Sequence, residues 1–266
     1  MDDSGLLRYS RQIMLPEVDM AGQEALSGSH VLIVGLGGLG SAAALYLAAA
    51  GIGTLTLADD DRVDLTNLQR QILHGAADLE RPKTESARDR LHALNPEPEL
   101  RLLSRRLEGD ALLEAVAAAD VVLDGTDNFA TRFNVNHACV ITGTPLVSGA
   151  AIRLEGQLAV FRPDRGGACY ACLFPPEAAD EAPRESCSET GILGPVVGVI
   201  GSMQALEAMR IITGFGTPAD GRFSAWDAAS GEWQRFTVAR DPDCSVCGEA
   251  HAGDATPTSP QLKTEN

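Results

Sequence analysis

The feature that most constrains the fold of this chain is a glycine-rich loop between two apolar stretches. His30–Val34 is a short apolar run, the loop GLGGLG occupies residues 35–40, and residues 41–51 are rich in Ala and Leu. Thr54–Ala58 is a further apolar run that leads into three consecutive aspartates. This order predicts a strand, a tight turn, a helix and a second strand, which form a right-handed βαβ unit. Glycines let a backbone approach phosphates, so the segment predicts a nucleotide site.

The alternation of strands and helices continues along the chain. It predicts helices at 82–94, 111–119 and Phe129–Thr142, and strands at 100–103, 121–123 and 145–148. This pattern indicates an α/β fold with a Rossmann-like, doubly wound and largely parallel sheet. Beyond residue 149 the pattern changes, and we expect antiparallel strands at 151–161 and 222–238 and a helix at Gly194–Thr213. The expected organisation is a single domain at 1–249, with a nucleotide-binding part at about 1–150, and a disordered tail at 250–266.

The net charge and the apolar segments indicate whether the chain binds nucleic acid, spans a membrane or carries a secretory signal. The 37 acidic and 21 basic residues give a formal net charge of −16, which disfavours general binding to nucleic acid. Residues 42–58 are almost wholly apolar, but Gly51 and Gly53 divide them into a buried helix and a buried strand rather than a membrane span. Residues 1–10 lack the apolar core of a secretory signal. We therefore expect a cytoplasmic protein.

Charged residues follow the glycine loop in an order that bears on its ligand. Asp59 lies 19 residues past Gly40 (59 − 40), at a strand end where a ribose-binding carboxylate belongs. Taken alone, these features favour an NAD-binding oxidoreductase. The segment NLQRQ at 67–71 and Lys83 come next and add cations. Cations suit nucleotidyl transfer, because negative charge builds up around the α-phosphate and on departing pyrophosphate.

Each of these residues also has a plainer interpretation. Arg70 or Lys83 alone is more often a solvated surface charge, and Asp59 could simply solvate a strand end. Asp127 follows a strand at the ligand edge of the sheet, where it is placed to hold Mg²⁺. Asp127-Asn128 is, however, also a common helix N-cap sequence. The order of all these groups along the chain is what favours ATP.

Six motifs together resemble the ubiquitin-activating superfamily over about residues 7–248. They are RYSRQI at 8–13, the glycine loop, the aspartates 59 and 61, NLQRQ at 67–71, Lys83 and TDN at 126–128. Within the superfamily the chain resembles the bacterial molybdopterin-synthase adenylyltransferases, with the thiamine-biosynthesis adenylyltransferases as near relatives. The resemblance implies that 1–249 is an adenylation domain whose 151–249 part binds a partner protein and zinc.

The resemblance also implies roles for individual residues. Asp59 would bind the ribose, and Asp127 would bind Mg²⁺. Arg11 would enter the active site of the neighbouring subunit of a homodimer and neutralise pyrophosphate, although a basic helix face is the alternative. The catalytic set would be Arg11, Arg70, Lys83, Asp127 and Cys187. The ATP-binding set would be Gly35, Gly37, Gly38, Gly40, Asp59, Asp61, Asn67, Gln69, Arg70, Lys83, Asp127 and Asn128.

The implied reaction is adenylation of the Gly-Gly carboxylate of a small ubiquitin-like sulfur-carrier protein. The carboxylate attacks the α-phosphate and pyrophosphate leaves, so positioning and charge neutralisation suffice without a general base. The small subunit of molybdopterin synthase is the expected carrier, and a thiamine-pathway carrier is the alternative. Three positions depart from the family pattern: Glu80 where glycine is usual, Gly125 where cysteine is common, and Asp60 where an aromatic residue is frequent.

Six cysteines include two C-x-x-C pairs, Cys169 with Cys172 and Cys244 with Cys247. Four thiolates in two such turns predict one closed, structural Zn²⁺ site, and two separate redox dithiols are the alternative. Cys139 lies in an apolar helical stretch and is expected in the core. Some relatives use a loop cysteine such as Cys187 covalently, but the neighbouring glutamates 185 and 189 disfavour its thiolate.

Overall fold

The computed structural model describes residues 1–176, 191–217 and 219–248. These residues build one eight-stranded sheet with the strand order 3-2-1-4-5-6-7-8. Its strands are β1 His30–Val34, β2 Thr54–Ala58, β3 Glu99–Leu103, β4 Val121–Asp124, β5 Leu146–Ile152, β6 Glu155–Phe161, β7 Arg222–Asp227 and β8 Glu232–Thr237. The strands from β3 to β5 pair in parallel, and those from β5 to β8 pair in antiparallel fashion. The predicted α/β fold is confirmed.

Helices cover both faces of the sheet. They are α1 Asp3–Arg8, α2 Ser10–Ile13, α3 Asp19–Gly28, α4 Gly38–Ala50, α5 Lys83–Leu94, α6 Gly109–Ala117, α7 Phe129–Thr142, α8 Tyr170–Leu173 and α9 Gly194–Thr213. Strand β1 alternates between two cores because successive side chains point to opposite faces. Val31 and Ile33 pack with α3, α4, α5 and α9, whereas Leu32 and Val34 pack with α6, α7 and α8.

The ligand crevice lies where the strand order reverses, between β1 and β4. The chain leaves β1 through α4 toward β2, and it leaves β4 through α7 toward β5, on the other side. In open α/β sheets, ligands bind beyond the carboxyl ends of the strands at this point. The glycine loop and the loop at 125–128 therefore lie side by side.

Two predicted strands are wrong in extent. The expected strand at 151–161 is the end of β5 and the whole of β6, and between them Arg153 adopts a φ of +53°. The expected strand at 222–238 is the hairpin of β7 and β8. The turn between β5 and β6 has few of the residues that mark one in sequence. The turn between β7 and β8 contains Ser230 and Gly231, whose φ is +80°, and this signal was overlooked. The proposed division near residue 150 falls within β5, so one sheet continues through it.

Helix α9 is long and apolar enough, by length and composition, to span a membrane. It instead packs against α4 and the sheet, and its residues Val196, Ile200, Ala205 and Ala208 are buried. A side-chain carbon on Gly201 would lie 2.2 Å from the Leu39 carbonyl oxygen. This close approach of α9 to α4 supports the start of α4 beneath the glycine loop.

Candidate active site

The glycine loop is tight because two of its glycines lie against backbone atoms. Gly35 has a φ of +90°, a left-handed conformation that favours glycine. A side-chain carbon on Gly40 would lie 1.9 Å from the Gly35 carbonyl oxygen, whereas one on Gly37 would meet only the Gln71 side chain, at 3.7 Å. Gly37 is the N-cap of α4 and offers no side chain to bond the first N–H groups of that helix. Those groups can therefore bind a phosphate.

The peptide groups of Leu36 are held by two side chains from outside the loop. Its N–H donates to Asp59 Oδ2 over 2.7 Å, and its carbonyl lies 3.1 Å from His74 Nε2. Burial lowers the pKa of His74, so the ring is neutral, Nε2 donates to Leu36, and Nδ1 accepts from the Ser86 hydroxyl. Burial also raises the pKa of Asp59, an effect that Lys83 opposes. His74 was missed in the sequence because a single histidine carries no spacing signal.

Lys83 is buried at the start of α5 and faces two aspartates. Its Nζ lies 2.8 Å from Asp61 Oδ2 and 4.0 Å from Asp59 Oδ1. The Lys83 N–H also donates to the Asp61 carbonyl, which fixes the start of α5 beside the end of β2. A buried ammonium ion held in this way is not a solvated surface charge.

Arg70 and Asn67 form the next part of the wall. Arg70 Nη2 donates to Asn67 Oδ1 over 2.9 Å, and Nη1 donates to the Thr66 carbonyl over 3.2 Å. These bonds orient the guanidinium group on a short 3₁₀ turn. Asp61, Asn67, Arg70 and Lys83 all line the same cavity as the glycine loop.

The loop after β4 supplies the opposite wall. Asn128 is the N-cap of α7, and its side chain accepts from the Thr131 N–H, as the plainer interpretation of this sequence expects. Asp127 is exposed and lines the cavity, as does Asn128. The buried Asp124 anchors the loop by accepting from the N–H and the hydroxyl of Thr126.

A cavity of about 740 Å³ joins these walls, a size typical of small-molecule sites. It brings together ten of the twelve residues of the expected ATP-binding set. Gly40 and Gln69 do not line it: Gly40 closes the loop from behind, and the Gln69 carbonyl lies against Gly194. Arg11 is exposed and lies outside this cavity.

The cavity also contains residues that the sequence analysis missed. Arg105 and Arg106 follow β3, and Arg132 and Tyr170 approach from α7 and α8. Arg105 and Arg106 follow the strand expected at 100–103, and strand order alone could have placed them at the ligand edge.

Glu80 adopts a φ of +65°, which accounts for the glycine that is usual at this position.

The four cysteines of the C-x-x-C pairs converge, with all their Sγ atoms within 4.8 Å of one another. Cys169 and Cys244 are 3.7 Å apart, and Cys172 and Cys247 are 3.4 Å apart. With Zn–S bonds of about 2.3 Å, tetrahedral geometry separates sulfurs by about 3.8 Å, so this donor set fits zinc. The Asn136 amide and the Asp241 N–H donate to Sγ atoms from outside the cluster. Two separate dithiols do not describe this arrangement.

The remaining two cysteines are Cys139 and Cys187. Cys139 is buried in α7 among apolar side chains, as expected, and burial raises its thiol pKa. Cys187 and the tail at 250–266 lie outside the described residues.

Comparison with known proteins adds sequence evidence to this geometry. The sequence model of the ThiF family matches residues 9–246. The sulfur carrier protein ThiS adenylyltransferase of Escherichia coli K12 is 50% identical over 252 residues, which cover 95% of this chain and 99% of that protein. The molybdopterin-synthase adenylyltransferase of the same organism is 47% identical, over 94% and 99% of the two chains.

Solved structures share the fold. The crystal structure of E. coli MccB with ATP superposes with a TM-score of 0.77, at 25% identity, over 91% of this chain and 74% of that one. That of MccB with AMPCPP and MccA gives a TM-score of 0.78 at the same identity and the same coverage.

Proposed function

We infer that this chain, which belongs to the ThiF family, is an adenylyltransferase that uses ATP to activate the C-terminal carboxylate of a small sulfur-carrier protein. The observation that carries the inference is the meeting of Arg70 and Lys83 with the glycine loop and Asp127 in one cavity. The likeness to two adenylyltransferases over nearly their whole length supports it.

The roles of the nucleotide-binding residues follow from their positions. The first N–H groups of α4 and the side chains of Asn67, Arg70 and Lys83 bind the triphosphate, and Asp59 binds the ribose hydroxyls. Asp127 holds Mg²⁺, which when bound neutralises charge on the phosphate oxygens. Lys83 already offsets Asp59 and Asp61, so the anionic phosphates meet a wall whose carboxylates are partly neutralised.

The reaction needs the arriving carboxylate and the α-phosphate to be in line. A carboxylate oxygen attacks the α-phosphorus, the bond to the bridging oxygen breaks, and pyrophosphate leaves with that electron pair. The attacking group is ionised at neutral pH, so the protein does not have to remove a proton. Arg70 and Lys83 stabilise the charge that develops on pyrophosphate.

The proposed carrier is the small subunit of molybdopterin synthase, with a thiamine-pathway carrier as the second candidate. The relatives that act in the two pathways are 47% and 50% identical, so identity does not separate the candidates. ATP–pyrophosphate exchange with each carrier supplied alone tests both. Exchange that requires neither carrier, or that fails with both, contradicts the proposal. A thermal shift with NAD but none with ATP would favour an oxidoreductase instead.

A homodimer in which Arg11 serves the neighbouring site is also part of the proposal. Arg11 lies outside its own cavity, and Leu7, Met14 and Leu15 beside it are more than half exposed, which suits a covered surface. Mixing the inactive variants Arg11→Ala and Lys83→Ala tests this, because mixed dimers regain one complete site of two. Monomers at micromolar concentration in sedimentation, or a mixture without activity, count against it.

We also propose one structural Zn²⁺ per chain at the four clustered cysteines and a cytoplasmic location. Closing the chain between the two cysteine pairs stabilises the end of the sheet near β8.

A covalent role of Cys187 is tested by Cys187→Ala: loss of sulfur loading in a reconstituted assay, with exchange retained, establishes that role. Unchanged sulfur loading excludes it.

A further inference from the structure

The cavity continues past the glycine loop on the β5 side of the crevice. This part of the cavity, which we call the β5 arm, is lined by Ile152, Glu155, Gln157, Tyr170, Phe174 and Val197. Apart from Glu155 and Gln157 its lining is apolar or aromatic, in contrast to the charged wall around Arg70 and Lys83. Thr126 and Asp127 line the same cavity, and the proposed function puts the reacting phosphate beside Asp127.

Arg132 lines this cavity and lies beside the loop after β4. Its Nη2 donates to the carbonyls of Thr126 and Gly149, which ties the loop after β4 to strand β5. Its Nε is buried and has no hydrogen-bond partner among the described residues. An unsatisfied N–H of a charged group is costly to bury, so a ligand acceptor at this point has a physical reason to bind.

Tyr170 offers a second such atom. Its ring is 2% exposed and packs against Phe133, Phe161 and Phe174, with centroids 4.9–6.1 Å apart. Its hydroxyl is buried and makes no well-aligned hydrogen bond in the described part of the chain, but it lies close enough to the Arg132 guanidinium group to interact with it. Two buried donors on α7 and α8 thus lie beside each other, and their side chains line one cavity.

The position of Tyr170 is set by the cysteine cluster. Tyr170 directly follows Cys169, and its N–H donates to Asn136 Oδ1 over 2.8 Å. The Asn136 amide in turn donates to Cys169 Sγ. Asn136 lies one helical turn after Arg132 on α7, so one helix supports both donors.

We propose that Arg132 Nε and the Tyr170 hydroxyl bind carbonyl and carboxylate oxygens of the last residues of the carrier's tail. The inference rests on the proposed function and deepens it by naming the groups that hold the acyl substrate. A Gly-Gly tail has no side chains and suits a largely apolar arm, while its carbonyl and terminal carboxylate oxygens need hydrogen-bond donors. The two donors orient the carboxylate toward the α-phosphate, which is a matter of positioning rather than proton transfer.

The test uses Tyr170→Phe, which removes one hydroxyl and keeps the ring packing. The probes are E. coli ThiS and the small subunit of molybdopterin synthase, each intact and lacking its last two residues. The KM values for carrier and for ATP are measured by pyrophosphate exchange with the intact carriers, and Kd is measured for the intact and truncated forms. Tyr46→Phe, on the exposed face of α4, is the matched control.

The expected result is a rise of roughly two- to tenfold in the KM for the carrier, with the KM for ATP unchanged. Binding of the truncated carrier should not change, because the hydroxyl contacts only the tail. Arg132→Lys keeps the charge but has no Nε–H, and it should raise the same KM for the carrier. A cooperative thermal unfolding transition shows that this variant is folded.

Two results would overturn the inference. One is an unchanged carrier KM for Tyr170→Phe, and the other is equal weakening of the truncated carrier. Wild-type protein without exchange on either carrier would instead overturn the proposed function, and the tail-binding role with it.

Discussion

Lys83 Nζ lies 2.8 Å from Asp61 Oδ2, although 22 residues separate the two in sequence. The pair joins the start of α5 to the end of β2 and brings the ammonium group into the cavity beside the glycine loop. Asp59 is the second neighbour, at 4.0 Å. One buried cation thus serves both the fold and the proposed triphosphate site.

Lys83→Ala should reduce ATP–pyrophosphate exchange by roughly 100-fold or more, the scale for loss of one group that stabilises transition-state charge. The variant also leaves the largely buried Asp59 without its counter-ion, so its stability should fall. Arg88→Ala, which removes an exposed cation from the same helix, is the control and should retain activity. Near-normal exchange in a folded Lys83→Ala protein would contradict the role of this residue.

His74→Gln tests how the glycine loop is held. Glutamine can still donate to the Leu36 carbonyl, whereas His74→Ala cannot, so the KM for ATP should rise more in the alanine variant. A KM for ATP that is equal in both variants and in wild-type protein would show that this bond does not position the loop.

The same residue makes stability depend on pH. Burial lowers the pKa of His74 in the folded state, so below about pH 6.5 the unfolded chain binds the proton and the folded chain does not. Stability should therefore fall as the pH drops from about 6.5 toward the lowered folded-state pKa. Chemical denaturation of wild-type and His74→Gln protein at several pH values measures the difference. Parallel pH profiles would argue against a neutral buried ring.

Gly40→Ala should fail to build the nucleotide site. Its added carbon would lie 1.9 Å from the Gly35 carbonyl oxygen, so backbone must move. Gly28→Ala, at the exposed end of α3 and outside the cavity, is the control, because its added carbon would meet no atom within 4 Å. We expect loss of the ATP-induced thermal shift in Gly40→Ala and a retained shift in Gly28→Ala.

The cysteine cluster should bind one zinc ion per chain, as elemental analysis of freshly purified protein can measure. Cys244→Ser should lose the metal and destabilise the end of the chain, whereas Cys139→Ser, outside the cluster, should keep it. Limited proteolysis reads out the local effect independently of activity. Equal zinc content in both variants would rule out the cluster as the site.

Glu80→Gly should raise the free energy of unfolding by up to about 1 kcal/mol, because Glu80 occupies a left-handed conformation that is unfavourable for residues other than glycine. Denaturant titration measures the change. Glu85→Gly, within α5, is a useful contrast and should be destabilising by about the same amount.

Several parts of the fold were predictable because their signals are local. The βαβ unit around residues 35–40 carries its apolar runs and glycines in one stretch, and α7 was predicted with its observed bounds. The turn between β5 and β6 was missed because Arg153 takes its positive φ without a glycine to mark it. Long-range hydrogen bonds such as those of His74 leave no spacing pattern at all.

The amino-acid sequence by itself determined the α/β class, the glycine loop, the two C-x-x-C pairs and the order of charges that favours ATP. Each depends on residues close in the chain, where periodicity and turn chemistry act directly. Only the tertiary structure decided which distant groups share the cavity, since β1 and β4 become neighbours through sheet pairing. It places Arg132 and Tyr170 in the same cavity as Asp127, and it leaves Gly40 behind the loop and Arg11 outside the cavity. Burial then sets the charge state of His74. Burial depends on how segments distant in sequence pack together, so it is not encoded by the residues next to His74.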